Sequence, residues 1–281
     1  MSTMLRARWR ETNAAVQRGY YTYDGREVAL NPSLGPMRRG TLLYRPEDIA
    51  ALPDPGPAAG PAAAAAAEKG TAVEVTTEST LAAARRLAVS GGVAALNFAS
   101  ARNPGGGVVN GARAQEESLA RSSALYESLI RCPAFYEHHR AERDLRYSDR
   151  IIYSPGVPVF RDDNGAWLPE PYLVDFLTAA APNRRMIERN TPHLADGVLP
   201  ALRQRARGVL AVAAANGCTR LVLGAWGCGV FGNVPAEVAE VFRAHLAAEF
   251  AGAFAQVVFA VLDRPDGPTV AAFRDAFETG G

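Results

Sequence analysis

Two adjacent carboxylates, Glu116 and Glu117, stand where the sequence predicts that a helix begins. The positive end of a helix dipole favours acidic side chains in the first turn, and neighbouring residues on a helix point about 100° apart. The two carboxyls should therefore have different roles, and such a pair suits general acid and base catalysis. The alternative is that both only stabilise the start of the helix.

Three consecutive glycines, Gly105, Gly106 and Gly107, precede these carboxylates in a loop that follows a strand-like apolar run. Glycine has no Cβ and can adopt positive φ, so the backbone amides of such a loop can close around an anionic group such as phosphate. A flexible surface loop is the other explanation for a glycine triplet. Its place before the paired carboxylates favours a ligand-binding role.

A second glycine-rich block, GAWGCGVFGN, covers residues 224–233 and also follows a predicted strand. Its glycines would let amides converge on phosphate oxygens directly before a helix that begins at Pro235, and a helix N-terminus is itself an anion site. Phe231 is large among its small neighbours, and it either packs against a ligand or anchors the loop in the core. Cys228 is expected to fill space rather than to act as a nucleophile.

The glycine triplet followed by Gln115, Glu116 and Glu117 resembles the GGG and QEE signature of poly(ADP-ribose) glycohydrolases. LNFASARNPGGG and GARAQEESLARSSALY resemble the shorter, bacterial-type branch, and GAWGCGVFGN resembles the phosphate and ribose loop of the same family. The similarity extends from Thr71 to the C-terminus. It implies an α/β protein with a macrodomain-like three-layer α/β/α fold, a mixed central sheet and an N-terminal extension.

The resemblance also implies a role for each site residue. Glu117 would be the general acid and base, and Glu116 would hold ribose hydroxyls. Phe231 would orient the terminal ribose, and Asn103 would bind a ribose hydroxyl, although longer family members have their asparagine nearer the strand end, at the position of Ser100. The predicted substrate-binding residues are Asn103, Gly105, Gly106, Gly107, Val108, Gln115, Gly227, Cys228, Gly229, Val230, Phe231, Gly232 and Asn233.

Hydrolysis of a ribose–ribose glycosidic bond needs a proton for the leaving oxygen and a water molecule for the anomeric carbon. One carboxyl can supply the proton and then activate the water. A carboxyl that acts as an acid near neutral pH must be kept protonated by partial burial or by a neighbouring negative charge. Glu116 and the ligand diphosphate would place that charge beside Glu117. No metal ion or organic cofactor is expected.

The expected activity is the release of ADP-ribose from poly(ADP-ribose), mainly from chain ends. Three alternatives stay open: a mono-ADP-ribosyl or O-acyl-ADP-ribose hydrolase, a non-catalytic ADP-ribose-binding macrodomain, and an enzyme of another reaction type that binds nucleoside-diphosphate sugars. The expected partners are poly(ADP-ribose), ADP-ribose and ADP-ribosylated proteins. A monomeric bacterial protein with a role in the DNA damage response is expected.

The composition excludes several other classes. The formal net charge of +1 gives no indication of binding to duplex nucleic acid or to an anionic membrane surface. Cys132, Cys218 and Cys228 are widely spaced and form no CxxC pair, which argues against a disulfide framework and a zinc site. Apolar runs stay well short of the roughly 20 residues of a membrane span, and no signal peptide is recognisable. We therefore expect a cytoplasmic protein.

Hydrophobic periodicity predicts the elements that position the two glycine-rich blocks. A strand at residues 72–75, a helix at residues 79–89 with Thr77 as its N-cap, and a buried strand at residues 93–98 form a βαβ unit. Further predicted elements are a hairpin around residues 162–165, helices at residues 194–216, 235–250 and 270–277, and strands at residues 172–177, 221–223 and 257–262. Together they predict a mixed sheet with helices on both faces.

The helix that carries the paired carboxylates should be long. Leu119, Leu125, Leu129 and Ile130 give it an apolar stripe, and Pro133 should end it.

The chain divides into three predicted parts. Residues 1–50 form an accessory extension, residues 51–70 a flexible connector rich in Pro and Ala, and residues 71–281 the catalytic domain. Arg203, Arg205 and Arg207 lie on a predicted helix and are expected to form a solvated face. A weaker hypothesis is that these three arginines follow the phosphates of a polymer.

Overall fold

A seven-stranded mixed β-sheet forms the centre of the computed structural model, which describes residues 2–56 and 70–278. The strands are β1 (Tyr20–Tyr23), β2 (Arg26–Ala29), β3 (Leu42–Tyr44), β4 (Ala72–Thr76), β5 (Ala94–Phe98), β6 (Ile151–Arg161), β7 (Trp167–Ala179), β8 (Arg220–Leu223) and β9 (Gln256–Ala260). The sheet has the order β3-β6-β7-β5-β8-β9-β4, and β1 and β2 form a separate hairpin. β7, β5, β8, β9 and β4 run parallel to one another. At one edge of the sheet β6 is antiparallel to β7, and β3 is antiparallel to β6.

Helices cover both faces of this sheet. They are α1 (Ser2–Arg18), α2 (Asn31–Gly40), α3 (Pro46–Ala50), α4 (Thr80–Ala88), α5 (Gln115–Ser122), α6 (Leu125–Leu129), α7 (Pro133–Ala141), α8 (Arg184–Asn190), α9 (Val198–Ala215), α10 (Pro235–Ala247) and α11 (Pro268–Glu278). Within the described ranges, no helix is both long enough and apolar enough to cross a membrane.

Two hydrophobic cores lie on opposite faces of the sheet. Leu96 of β5 packs in one core with α3, α9, α10 and α11, whereas its neighbour Ala95 packs in the other with α1, α2 and α4 to α7. This division follows from the strand geometry, because successive side chains point to opposite faces. The predicted three-layer α/β/α arrangement with a mixed sheet is confirmed.

The topology brings the two glycine-rich blocks to the same end of the sheet, at the carboxyl ends of β5 and β8. β5 and β8 are parallel neighbours, with Ala95 opposite Val222, so the loops that follow them leave the sheet side by side. Ligand sites in open α/β sheets form at the carboxyl ends of such strands. The order of the strands therefore predicts one site built from both loops.

Two sequence predictions about helices are wrong. Ser79, not Thr77, is the N-cap of α4, because the Ser79 hydroxyl accepts a hydrogen bond from the Ala82 amide at 3.0 Å. The helix of the paired carboxylates does not continue to Pro133, since Ser123 has extended backbone and separates α5 from α6. Pro133 begins α7 rather than ending the earlier helix.

The break at Ser123 has a local cause. Its hydroxyl donates a hydrogen bond to the Leu119 carbonyl at 2.7 Å and accepts one from the Leu125 amide at 3.2 Å. Ser123 also forms a β-bridge with Val159 of β6. These contacts replace helical hydrogen bonds, in the way that serine side chains commonly do at helix ends.

The predicted extension contributes directly to the sheet and to both cores. β3 pairs with β6 as the edge strand, and Trp9 of α1 packs against Tyr126 with ring centroids 4.7 Å apart. The predicted connector lies mostly at residues 57–69, outside the described residues. The division of the chain at residues 50 and 70 stays a prediction.

Candidate active site

Gln115 joins the first turn of α5 to the end of β5. Its side-chain oxygen accepts a hydrogen bond from the Phe98 amide at 2.9 Å, and its nitrogen donates to the Leu96 carbonyl at 2.7 Å and to the Thr80 hydroxyl at 3.2 Å. These three bonds fix where α5 begins relative to β5. The two residues that follow, Glu116 and Glu117, are thereby held at the carboxyl end of the sheet.

Glu116 is buried, with 2% of its surface exposed. Its two oxygens accept hydrogen bonds from the Ser100 amide at 2.7 Å and from the Asn97 side chain at 3.3 Å. Burial raises the pKa of Glu116 to about 8, because the loss of hydration outweighs those two hydrogen bonds and the nearby Glu117 adds to the effect. Near neutral pH the Glu116 carboxyl is therefore largely protonated and can donate a hydrogen bond, so the expectation that it places a negative charge beside Glu117 is wrong.

Glu117 has a different environment, although it is also buried at 8% exposure. Its Oε1 accepts a hydrogen bond from the Gly107 amide at 2.9 Å. Its Oε2 is buried and has no hydrogen-bond partner among the described residues. One carboxyl oxygen is thus fixed by the glycine loop, and the other is a buried polar atom that no described residue satisfies.

The glycine triplet lets the loop approach both carboxyls closely. Gly106 has φ of 59°, and a Cβ at this position would lie 2.5 Å from Oε1 of Glu117 and 3.1 Å from Oε2 of Glu116. Gly105 also has positive φ, and its Cβ would meet the Tyr126 ring at 2.9 Å. Any larger residue at Gly106 would force the Glu117 carboxyl from its position.

The second loop is closed by Asn233. Its backbone amide donates a hydrogen bond to the Gly227 carbonyl at 3.0 Å, and its buried side chain donates to the Pro182 carbonyl at 3.0 Å. Gly227 and Gly232 both have positive φ, and a Cβ at Gly227 would lie 2.3 Å from the Asn233 side chain. At Gly229 an added Cβ would meet open space, because no atom lies within 4 Å of that position.

A cavity of about 710 Å³ lies between the start of α5 and the second glycine-rich block, and the glycine triplet, Glu116 and Glu117 are not among its lining residues. Phe98 and Gln115 line it on one side, and Cys228 and Gly229 line it on the other. Burial raises the pKa of the Cys228 thiol to about 12, so this residue stays a neutral spacer in the loop. The size and mixed lining of the cavity are typical of a small-molecule site.

Comparison with protein families gives a direct match. The family of microbial-type PARG (poly(ADP-ribose) glycohydrolase) catalytic domains matches residues 10–162, so the prediction that the similarity begins at Thr71 is wrong. A structure of poly(ADP-ribose) glycohydrolase from Thermomonospora curvata has 51% sequence identity, covers 98% of this chain and 100% of its own, and superposes with a TM-score of 0.89. A comparison with curated proteins found no match.

The chain belongs to the microbial-type poly(ADP-ribose) glycohydrolase family. A structure of the T. curvata protein bound to the inhibitor ADP-HPD also matches at 51% identity, with 98% and 100% coverage and a TM-score of 0.87. The protein from Deinococcus radiodurans in complex with ADP-ribose matches at 47% identity over 88% of this chain and 98% of its own, with a TM-score of 0.78. The resemblance drawn from the two glycine-rich blocks is confirmed, and the chain is an enzyme of the glycosidase class with a macrodomain-like fold.

Several of the predicted substrate-binding residues have structural contacts of their own. The Gln115 amide is occupied by its three protein partners, and Val108 is fully buried against Trp9 of α1. Asn103 is exposed, and its carbonyl accepts a hydrogen bond from the Gly106 amide at 3.0 Å in the turn. Substrate contact by these three residues stays a prediction.

Phe231 is half-buried beside the second loop. Its ring lies 6.2 Å from the ring of Tyr147, and its carbonyl accepts a hydrogen bond from the Arg185 amide at 2.9 Å. Val230, its neighbour, is largely exposed at the loop tip. Phe231 therefore has one side against protein and a surface left for contact with a ligand.

Asn97 is a site residue that the sequence predictions did not include. Its fully buried side chain donates hydrogen bonds to Glu116 and, at 3.1 Å, to the Thr178 hydroxyl, and its Oδ1 has no partner among the described residues. The available signal was a single polar residue in the otherwise apolar run at residues 93–98. A polar side chain in a buried strand needs partners, and it commonly marks a site.

For Arg205, both the predicted solvated face and the weaker hypothesis that it follows polymer phosphates are wrong. Only 1% of its side chain is exposed, and Nε donates a hydrogen bond to Asp149 at 3.2 Å. The guanidinium also donates to the carbonyls of Ala180 at 2.6 Å and Tyr147 at 3.0 Å. Arg205 thus fixes the loop that carries Tyr147, the ring that packs on Phe231.

Among the described residues, no group of three or more His, Cys, Asp and Glu side chains is arranged to hold a metal ion. The expectation that no cofactor is needed stays a prediction.

Proposed function

We propose that this chain hydrolyses the ribose–ribose bonds of poly(ADP-ribose) with Glu117 as general acid and general base. The supporting observation is the position of the Glu117 carboxyl: Oε1 is held by the Gly107 amide, and Oε2 is buried without a partner among the described residues. A buried polar atom without a partner is costly, and it commonly belongs to a site that a ligand completes.

The reaction breaks the bond between the anomeric carbon of the released unit and the 2′-oxygen of the neighbouring ribose. Glu117 donates its proton to that leaving oxygen, and the anomeric carbon becomes oxocarbenium-like. Glu117 then takes a proton from a water molecule as the water oxygen bonds to the anomeric carbon. The carboxyl returns to its starting state, and the products are ADP-ribose and the shortened chain.

Glu116 holds the ribose rather than transferring the proton in this proposal. Its oxygens are bound to Ser100 and Asn97, and its raised pKa keeps a proton on the carboxyl near neutral pH. A protonated carboxyl can donate to one ribose hydroxyl and accept from another. That arrangement would orient the anomeric carbon toward Glu117.

Replacement of Glu117 with Gln tests the proposal. We expect kcat for shortening of poly(ADP-ribose) to fall by about 10²–10⁴-fold or more, the usual contribution of a general acid and base, while the affinity for ADP-ribose is retained. Glu137→Gln, an exposed glutamate on α7, is the matched control and should leave kcat unchanged.

Retained activity in Glu117→Gln would exclude this mechanism. Binding of polymer by the wild-type protein without any shortening would instead support a non-catalytic ADP-ribose-binding protein. Comparison of kcat/KM for polymer with that for mono-ADP-ribosylated and O-acyl substrates would separate the remaining hydrolase activities.

The proposal extends to the biological setting. We infer chain-end cleavage of poly(ADP-ribose) on ADP-ribosylated proteins by a monomer, in a bacterial DNA damage response. The nearly neutral net charge of +1 supports a partner other than duplex nucleic acid. The three cysteines are all free, which fits a reducing cytoplasm.

A further inference from the structure

The cavity lined by Gln115 and Ser118 of α5 contains a cluster of positive charge. Arg8 of α1, Arg113 before α5 and Arg121 of α5 all line it, and Asp163 supplies the single carboxylate of the lining. The Asp163 carboxylate already accepts a hydrogen bond from Ser79 at 2.6 Å. The cavity therefore carries an excess of two positive charges, which raises the local concentration of anions.

None of these three guanidinium groups forms an ion pair with a carboxylate in the described ranges 2–56 and 70–278. Arg8 and Arg113 make neither a hydrogen bond nor an ion pair there, and Arg121 donates only to the Ala112 carbonyl at 2.8 Å. Arg161, in contrast, is paired with Glu11 at 2.8 Å. The charges of the three cavity arginines are therefore not neutralised by an ion pair.

The Arg121 side chain carries a clear energetic cost. Only 4% of it is exposed. Burial lowers the pKa of Arg121, and the positive charges of Arg8 and Arg113 lower it further. Attraction to Glu117 opposes part of that shift. A buried cation that lacks a bound counter-charge is destabilising, and an anionic ligand would relieve the cost.

Contacts with neighbouring elements hold two of these arginines in place. The Arg8 guanidinium lies directly over Gly165, where an added Cβ would come within 1.9 Å of Cζ. The Arg121 carbonyl accepts a buried hydrogen bond from Thr12 of α1 at 2.6 Å. The site is therefore formed jointly by the N-terminal helix and by the helix that carries Glu117.

The location selects the part of the ligand that the arginines can reach. Arg121 is one helical turn beyond Glu117, a rise of about 6 Å along α5. The leaving ribose carries its own diphosphate on the 5′ carbon, across one sugar ring from the oxygen that Glu117 protonates. The diphosphate of the released unit, in contrast, is expected at the second glycine-rich loop.

We propose that Arg8, Arg113 and Arg121 bind the diphosphate of the ADP-ribose unit next to the one that is released. This inference rests on the proposed function and adds a polymer-specific subsite to it. Guanidinium groups bind phosphate through paired, charge-assisted hydrogen bonds, and the cavity's excess of two positive charges matches the two negative charges of the diphosphate. The subsite would distinguish polymer from free ADP-ribose.

The test compares binding of ADP-ribose with binding of an ADP-ribose trimer of defined length, at several salt concentrations. All proteins carry Glu117→Gln so that the trimer stays intact. We expect Arg8→Gln/Arg113→Gln to weaken trimer binding about tenfold, a loss of roughly 1.4 kcal/mol, while ADP-ribose binding is unchanged. The slope of log Kd against log salt should also fall, by about 0.7 for each lost phosphate contact.

Arg10→Gln is the matched control, because Arg10 is exposed on the same helix and does not line the cavity. Its trimer affinity and salt slope should equal those of the parent protein. Unchanged trimer affinity in the double variant would overturn the proposal, and so would an equal loss for ADP-ribose, which would assign the arginines to the released unit. If the double variant does not fold, the single variant Arg113→Gln gives the same comparison at an exposed residue.

Failure of this subsite is distinguishable from failure of the proposed function. In the first case the wild-type chain still shortens poly(ADP-ribose) and only the trimer comparison is negative. In the second case the wild-type chain releases no ADP-ribose.

Discussion

Glu116 and Glu117 are neighbours in the sequence, but the protein uses different elements to hold them. Glu116 points toward β5, where Asn97 and the Ser100 amide bind its oxygens. Glu117 points toward the glycine loop and is held at one oxygen by the Gly107 amide. The angle of about 100° between successive helical residues produces this separation, and it gives the two carboxyls different hydrogen-bond partners.

The raised pKa of Glu116 makes a prediction about stability. The pKa of this carboxyl rises from 4.5 to about 8 on folding, so between those values the native state holds a proton that the unfolded state has lost. The contribution of Glu116 to stability is present in full below pH 4.5 and is lost as pH rises to about 8. In that window the free energy of unfolding should fall with pH by up to about 1.4 kcal/mol per unit from this group.

Urea unfolding of the wild-type protein and of Glu116→Gln across that pH window measures this effect. In Glu116→Gln the free energy of unfolding should fall less steeply with pH, because the contribution of Glu116 to that slope is absent. A stability difference that is the same at every pH does not affect this comparison. Parallel curves for the two proteins would show that Glu116 is ionised in the native state.

Gly106 provides a second prediction at the residue scale. In Gly106→Ala the new Cβ would meet Oε1 of Glu117, so we expect kcat to fall at least tenfold, a change of about 1.4 kcal/mol in the barrier. Gly25→Ala is the control, because Gly25 also has positive φ but has open space around its Cβ position. The two variants share the backbone strain, and only the first displaces the carboxyl. Equal kcat values would refute the displacement.

At the scale of elements, one helix and one loop decide the shape of the site. α5 is fixed at its start by Gln115 and near its end by the hydrogen bond from Thr12 to the Arg121 carbonyl. The loop before β6 is fixed by Arg205, which binds the carbonyl of Tyr147, a residue with φ of 60°. Side chains far apart in the sequence thus hold backbone segments that carry site residues.

Replacement of Arg205 with Met tests the role of this loop anchor. The change removes hydrogen bonds to two carbonyls and the ion pair with Asp149, all in a buried setting. We expect the free energy of unfolding to fall by about 3–5 kcal/mol, the usual effect of breaking a buried pair. Arg207→Met, two residues along the same helix, removes only a partly exposed pair with Glu249 and should change it by about 1 kcal/mol or less. Similar values for both variants, measured by urea unfolding, would contradict this role.

At the scale of the whole molecule, the N-terminal 50 residues are built into the catalytic fold. β3 completes the edge of the central sheet beside β6, and Ile49 packs in the same core as Leu96. α1 contributes Trp9 to the cluster behind the glycine loop and Arg8 to the cavity. The extension therefore supports the site from both the sheet and the loop side.

A fragment of residues 71–281 tests whether the predicted catalytic domain folds alone. Loss of β3 would expose the edge of β6, and loss of α1 would expose the apolar groups behind the glycine loop. We expect the fragment to lack a cooperative thermal transition by circular dichroism, in contrast to the full chain. A cooperative transition with retained hydrolysis would establish residues 71–281 as an autonomous domain.

Local patterns were sufficient for much of the fold and for the identity of the paired carboxylates. The βαβ unit, the hairpin before β7 and the order of the two glycine-rich blocks follow from periodicity, turn residues and motif spacing. These features depend on residues close together in the chain, and their physical causes are local. The break at Ser123 was missed because it depends on pairing with Val159 of β6.

Contacts between distant segments could not be derived in the same way. A guanidinium on a helix favours solvent by its composition alone, yet Arg205 is buried because Asp149 and two carbonyls meet it there. Asn97 can donate its hydrogen bond to Glu116 only after β5 and α5 pack together. Arg8 and Arg121 line the same cavity only after α1 packs beside α5. Periodicity indicates which face of an element is apolar, but it does not indicate which distant element covers that face. The packing of distant elements sets the pKa of Glu116 and the net charge of the cavity lining.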